Sequence, residues 1–267
     1  MSSRREISAQ VVGRAARDAA ALGPGEVCAL FRRSFYLRFP GGRYACVGES
    51  SLGRGPLNAL VTVFALPAMG EQLLLSTIRA QLWTPTLFAA HKAPALRELE
   101  EAAADRVPDE GLGCLVAGRA NELSRHARPA LEALERWLAG EPLGGEAERL
   151  IGLGPGLTPS GDDYLGGMLI GLRLWALPAQ AASLWEWLEP RIAGRTSEIS
   201  AAHLAAAAAG EGHEALHEAL RNLVAGSRRW DEILGALSAV GHCSGWDGLA
   251  GALSVARRIE CAEPMRC

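Results

Sequence analysis

Three aspartates, Asp162, Asp163 and Asp247, lie beside two serines, Ser160 and Ser244, in glycine-rich settings that suit anion or amide chemistry. The stretch Gly152-Leu-Gly-Pro-Gly-Leu-Thr-Pro-Ser-Gly-Asp-Asp163 runs into an apolar segment. It predicts a helix beginning near Gly161, with Ser160 as N-cap and Asp163 completing a capping-box variant. A helix start presents unpaired N–H groups and the positive end of its dipole, and Gly154, Gly156 and Gly161 let a ligand approach the backbone. Gly154, Gly156, Thr158, Ser160 and Gly161 are therefore candidates for holding an oxyanion. The plainer reading is a tight connection capped by Ser160.

The pattern recurs. Ser160-Gly161-x-Asp163-x-Leu165-x-Gly167-x-Leu169-x-x-x-Arg173 returns as Ser244-Gly245-x-Asp247-x-Leu249-x-Gly251-x-Leu253-x-x-x-Arg257 at a constant offset. A fainter echo precedes each copy, ALEALERWLAG before the first and EALHEALRNLVAG before the second. A capping box used twice would account for Ser and Asp, making Asp163 and Asp247 structural. It does not account for Gly167 and Gly251, which imply a close crossing of two equivalent helices, with Ser244, Gly245 and Asp247 joining the first site. Between the copies, Arg195-Thr196-Ser197-Glu198-Ile199-Ser200 opens another helix. Arg195 and Thr196 there suit a phosphate or carboxylate, or Arg195 forms a surface ion pair with Glu198.

Other motifs compete. His213-Glu-Ala-Leu-His217 fits H-E-x-x-H, which on a helix offers two imidazoles to zinc and a general base, the pattern of a zinc-dependent hydrolase. The first half carries no histidine at the echoed position, no third ligand is evident, and no metal ligand is assigned from the pattern. His242, beside the second helix start, is the better candidate for substrate contact, or is a local hydrogen-bonding residue. Cys243 gains some thiolate character from a helix start, but no base accompanies it.

The elements that must position these residues change character along the chain. Val27 to Phe39 partly alternates apolar and polar residues, Pro40-Gly41-Gly42 supplies a turn and Arg43 to Val47 a return strand. Asn58 to Leu66 and Gln72 to Ile78 are further strands, so residues 1–92 read as a small antiparallel β-rich domain. Residues 93–267 are rich in Ala and Leu at helical spacing, broken by Gly and Pro. The fold class is α+β: a β-rich N-terminal domain followed by an Ala-rich helical domain with a degenerate internal duplication.

Composition removes several classes. A net charge of −3 over 267 residues gives no electrostatic footprint for nucleic acid. No apolar run is long enough to span a membrane, and MSSRREISAQ lacks a secretory core, so a cytoplasmic location is expected. The six cysteines form no C-x-x-C pair and read as reduced thiols. Lys92, the only lysine, lies in no P-loop context and is a weak candidate for a Schiff base.

GLGPGLTPSGDD at 152–163, RTSEIS at 195–200 and GHCSGWDGLAG at 241–251, with the weaker Gly53-Arg-Gly-Pro-Leu-Asn58, together resemble a bacterial family that includes the AllH-type subunit of oxamate carbamoyltransferase. The resemblance implies a role in ureide catabolism of the allantoin type, within a multi-subunit enzyme. A carbamoyl group would pass between N-carbamoyl oxamate and phosphate, giving oxamate and carbamoyl phosphate. Such a ligand needs donors for its phosphate and carbonyl oxygens and an acceptor for its NH2 group. The loop from Gly154 to Gly161, Arg195 and the start at Ser244 would be the donors. Asp162, Asp163 and Asp247 would be the acceptors, with Asp162, unpartnered in the repeat, the foremost chemical candidate. No cofactor is expected, although Mg²⁺ at the Asp cluster is a further reading because three carboxylates without histidine suit Mg²⁺ better than zinc. A non-catalytic scaffold or ligand-binding subunit of the same complex is the alternative role.

Overall fold

The computed structural model describes residues 5–86, 90, 96–226 and 229–262, with side chains as far as residue 260. Lys92, Cys267 and the side chain of Cys261 lie outside the described residues. The chain divides into two compact units, residues 1–86 and 87–267. The α+β class is as read from the sequence.

The first unit contains eight strands, β1 (Arg5–Ser8), β2 (Val11–Gly13), β3 (Gly25–Leu30), β4 (Ser34–Phe39), β5 (Arg43–Glu49), β6 (Asn58–Val61), β7 (Gln72–Ser76) and β8 (Gln81–Trp83), with helix α1 (Arg14–Ala20) after β2. They form one sheet in the order β1-β7-β3-β4-β5-β6-β2-β8. The β4–β5 hairpin pairs Phe35 with Val47 and Phe39 with Arg43, and Gly41 and Gly42 turn at positive φ. Alternation along β4 buries Phe35, Leu37 and Phe39.

Two expectations need correction here. The run from Val27 to Phe39 is two antiparallel strands, β3 and β4, offset by an irregularity between Val27 and Ala29. The sheet is mixed, because β1–β7, β2–β8 and β5–β6 are parallel pairs. Two of these pairs, β1–β7 and β2–β8, join segments far apart in sequence, which local alternation does not report. Helix α1 buries only alanines, Ala16 and Ala19, and follows Gly13, where a Cβ would lie 2.0 Å from the Gly55 carbonyl oxygen. The Gly53–Asn58 segment is a closed turn, with the Asn58 side-chain amide donating to the Gly53 carbonyl at 2.9 Å.

The second unit contains, among the described residues, α2 (Leu96–Ala103), α3 (Glu122–Leu138), α4 (Ser160–Leu174), α5 (Pro178–Ile192), α6 (Glu198–Ala208), α7 (Glu214–Ala225), α8 (Trp230–Ser238) and α9 (Ser244–Ala262), with 3-10 turns at Gly113–Ala117 and Gly145–Leu150. Helix α4 is buried on nearly every side and packs chiefly against α9, then against α6 and α5. An all-round apolar helix must be central, since no face is left for water.

The repeat explains the α4–α9 contact. A Cβ on Gly167 would lie 1.9 Å from the Gly248 carbonyl oxygen, and one on Gly251 would lie 1.9 Å from the Tyr164 carbonyl oxygen. Tyr164 and Gly248 occupy matching places in the two copies, so each helix receives the same glycine-to-backbone contact from the other. Further along, Gly171 lies against Ala252. From Gly167–Gly248 to Gly171–Ala252 the contact advances four residues on both helices, so α4 and α9 run side by side in the same direction and their N-terminal ends meet. Arg173 and Arg257, equivalent again, donate to terminal carbonyls of neighbouring elements, Ala208 for the first and Leu115 and Val116 for the second.

Candidate functional site

The meeting of the α4 and α9 starts brings Thr158, Ser160, Asp163, Ser244 and Asp247 together. Ser160 is not the N-cap, however. Pro159 holds that position, and its carbonyl accepts from the N–H groups of Asp162 and Asp163 at 2.9 and 3.0 Å. The Gly161 N–H donates to the Leu153 carbonyl at 2.9 Å. The helix start is thus largely satisfied by its own loop, and the Ser160 hydroxyl is released to face across to α9. Ser244 is likewise the first residue of α9, with the Cys243 carbonyl accepting from Asp247 N–H at 2.9 Å and the Gly245 N–H donating to Val240 at 3.2 Å. The Thr158 and Ser244 hydroxyls bond each other at 3.0 Å.

The three carboxylates have different fates. Asp162 is buried; its Oδ1 accepts from the Gly152 N–H at 2.8 Å, and its Oδ2 accepts from the Thr196 hydroxyl and from Ser200 at 2.7 Å. It ties the glycine loop to the start of α6, where Ser197 is the N-cap and also donates to the Leu157 carbonyl. Gly152 is required there, since its Cβ would meet the Arg195 carbonyl oxygen at 2.0 Å. Thr196, expected at a ligand, faces Asp162.

Asp247 is fully buried, and its Oδ1 accepts from the N–H groups of Leu112 and Gly113 at 2.7 and 2.8 Å. Its Oδ2 has no donor among the described residues. Burial raises its pKa to about 6, tempered by the facing Ser160 hydroxyl, which lies near the carboxyl without completing a hydrogen bond to Oδ2. Asp163 is half-buried, its Oδ2 is shielded from solvent, and that atom too lacks a donor. Desolvation raises its pKa well above the ordinary carboxylate range; the Ser244 hydroxyl opposes the shift and the charge of Asp247 adds to it. Each serine therefore faces the aspartate of the other copy. At the centre stand two carboxyl oxygens shielded from solvent and without hydrogen-bond partners among the described residues, each costing about 1–3 kcal/mol until a donor or a proton arrives.

The remaining candidates lie around this pair. Gly154 and Gly156 turn at positive φ, and Gly154 lies against Ser160, where a Cβ would stand 3.0 Å from its backbone nitrogen. Gly161 and Gly245 approach the Leu150 and Leu237 carbonyl oxygens, where a Cβ would lie at 2.0 and 2.3 Å, so both are needed for packing. Arg195 pairs with Glu148 at 2.6 Å, and Arg191 shares that carboxylate at 3.1 Å. The Arg195 hydrogen bond, seconded by Arg191, holds Glu148 below the usual carboxylate range. His242 is exposed and meets Glu110 at 2.9 Å. The Cys243 thiol is pushed up to about 11 by burial and by the charges of Asp247, Glu110 and Asp163, which removes the thiolate that a nucleophile would need.

The H-E-x-x-H pattern does not form a zinc face. His213 is the N-cap of α7, its Nδ1 accepting from Ala215 N–H at 3.2 Å, and buried His217 uses Nε2 to accept from Gly212 N–H at 3.0 Å. Both lone pairs are spent on backbone. Missing from the sequence reading was the segment Glu110–Gly113, which Asp247 and Asn121 hold in place; Asn121 donates to the Asp109 and Gly111 carbonyls at 2.9 and 2.7 Å. Its only signal was Gly111-Leu-Gly113, a short echo of Gly152-Leu-Gly154.

Residues 150–256, which contain α4, the first part of α9 and everything between them, match the family model described as oxamate carbamoyltransferase subunit AllH. The matched segment is similar to the AllH type, as the motifs indicate, and the family name points to a subunit of a carbamoyltransferase. The Gly53–Asn58 motif lies outside the match. No curated protein and no solved structure matches the chain. Among the described residues, no helix is long and apolar enough to cross a membrane.

Proposed function

We propose that this AllH-type chain works as a subunit of a carbamoyltransferase, in the cytoplasm and with other subunits, moving a carbamoyl group between N-carbamoyl oxamate and phosphate at the joined starts of α4 and α9. One observation carries the reading: Asp163 Oδ2 and Asp247 Oδ2, at the joined helix starts in the segment that matches the family, are shielded acceptors without donors among the described residues. A carbamoyl NH2 group supplies two N–H donors, the complement of two such oxygens. The Ser160, Ser244 and Thr158 hydroxyls then face the carbonyl oxygen as donors. The exposed loop at Gly154 and Gly156 is left for the phosphate end, away from the carboxylates.

The transfer breaks the bond between the carbamoyl carbon and the oxamate nitrogen and forms one from that carbon to a phosphate oxygen. One proton leaves hydrogen phosphate and reaches the departing nitrogen. The two carboxyl groups are placed to receive and return it. Asp163 and Asp247 would also suit Mg²⁺, which would supply positive charge to the phosphate end. A structural role for the pair has one observation in its favour, the Asp247 Oδ1 grip on Leu112 and Gly113, and would fit a non-catalytic subunit.

The reconstituted complex separates these readings. Asp163→Asn and Asp247→Asn should each lower carbamoyl phosphate formation by about 100-fold or more with assembly intact. Wild-type rates in both variants would assign the chemistry to another subunit. Loss of activity in chelator, restored by Mg²⁺, would identify the metal-bound form.

A further inference from the structure

The sequence GHCSGWD contributes more than a helix start. His242 and Cys243 precede α9, and the Glu110 side chain reaches them from a segment more than a hundred residues earlier. The possible ligand atoms of Glu110, His242 and Cys243 all lie within 4.8 Å of one another, the only group of three such residues among those described.

The backbone that presents them is fixed on both sides. Asp247 Oδ1 holds the N–H groups of Leu112 and Gly113, and the Asn121 amide holds the carbonyls of Asp109 and Gly111. Gly111, at φ +75°, passes so close that a Cβ would lie 2.9 Å from the Cys243 Cβ and 2.6 Å from Asp247 Oδ1. Only glycine fits both the turn and the gap, and this approach sets Glu110 opposite His242. Five hydrogen-bonding or steric constraints thus converge on a segment whose exposed Glu110 side chain meets His242 at 2.9 Å.

We propose that Glu110, His242 and Cys243 form a binding site for one zinc-type divalent ion. The donor set decides the metal: one sulfur, one imidazole nitrogen and one carboxylate oxygen suit Zn²⁺ or Co²⁺, whereas Mg²⁺ and Ca²⁺ take oxygen. Three protein ligands leave a tetrahedral ion one position for water or an oxygen of a small molecule. The site stands beside Asp247, so such an oxygen would lie next to the carboxyl pair. This assignment goes beyond the carbamoyl reading and does not depend on it.

The test uses the full chain, stripped with chelator and titrated with Co²⁺ alone. One equivalent should produce the near-ultraviolet thiolate-to-cobalt band and the strong visible bands of a tetrahedral ion, and Zn²⁺ should displace both. Cys243→Ser should remove the near-ultraviolet band, His242→Ala and Glu110→Gln should each weaken binding by at least about tenfold, and His213→Ala should change nothing. A wild-type chain without the thiolate band, or a band that survives in Cys243→Ser, overturns the proposal. Because the readout is spectroscopic, it is independent of the activity of any complex.

Discussion

The helix starts at Ser160 and Ser244 share a sequence, yet their carboxylates end in different states. Asp247 uses one oxygen to hold Leu112 and Gly113, while its counterpart Asp163 has no such backbone partner among the described residues. The first copy compensates with an additional residue. Asp162 takes up the clamping task, receiving Gly152, Thr196 and Ser200, at the place where the second copy has Trp246, whose Nε1 donates to Ser238 at 3.0 Å. A duplicated motif has thus separated anchoring from the keeping of an unspent acceptor: both tasks fall on Asp247 in one copy and are divided between Asp162 and Asp163 in the other. Burial alone is therefore a poor guide to chemistry at this site; unspent acceptor capacity is the better one.

The broadest way to break the comparison is to force the copies apart. Gly251→Val puts a side chain where the Tyr164 carbonyl oxygen stands, and Gly167→Val does the same against Gly248. Overpacking of this kind costs about 1–3 kcal/mol where side chains can yield and more against backbone, so both variants should be largely unfolded, as judged by circular dichroism and denaturant titration. A native-like melt in either would show that the helices do not meet as described.

A smaller but sharper effect separates Asp162 from Asp163. Asp162→Ala strands three donors and should cost about 3 kcal/mol or more, while Asp163→Ala should cost less than about 1 kcal/mol, measured as urea unfolding midpoints at constant m. Equal losses would erase the division between clamp and open carboxyl.

The smallest effect lies in pH dependence. The folded-state pKa of Asp163 is raised, so the folded chain binds that proton more tightly than the unfolded chain. Its contribution is present below the unfolded value of about 4 and is lost as pH rises through the folded value. Asp163→Asn should flatten the fall in melting temperature over that range. A profile parallel to wild type would mean that Asp163 ionises freely and is hydrated.

Much of this was legible in the residues themselves. The duplication at one offset, with glycines at equivalent places, implied that α4 and α9 touch, because only a backbone contact explains a glycine retained inside an apolar helix. Hydrophobic period located the helices and the β4–β5 hairpin, since both are local properties of the chain. Pairing and hydrogen-bond assignment were not local. The parallel pairs β1–β7 and β2–β8 of the first unit join distant segments. The N-cap passed from Ser160 to Pro159 because the serine faces a carboxyl on another helix. Asp162, foremost on chemical grounds, became the clamp because Thr196 and Ser200 fold onto it. Glu110 reached His242 only through the grip of Asp247 and Asn121 on an unremarked loop. Residue type and spacing determined which groups could act; which of them kept an unspent lone pair was decided by tertiary structure, because only the folded chain brings each donor to one acceptor and withholds it from another.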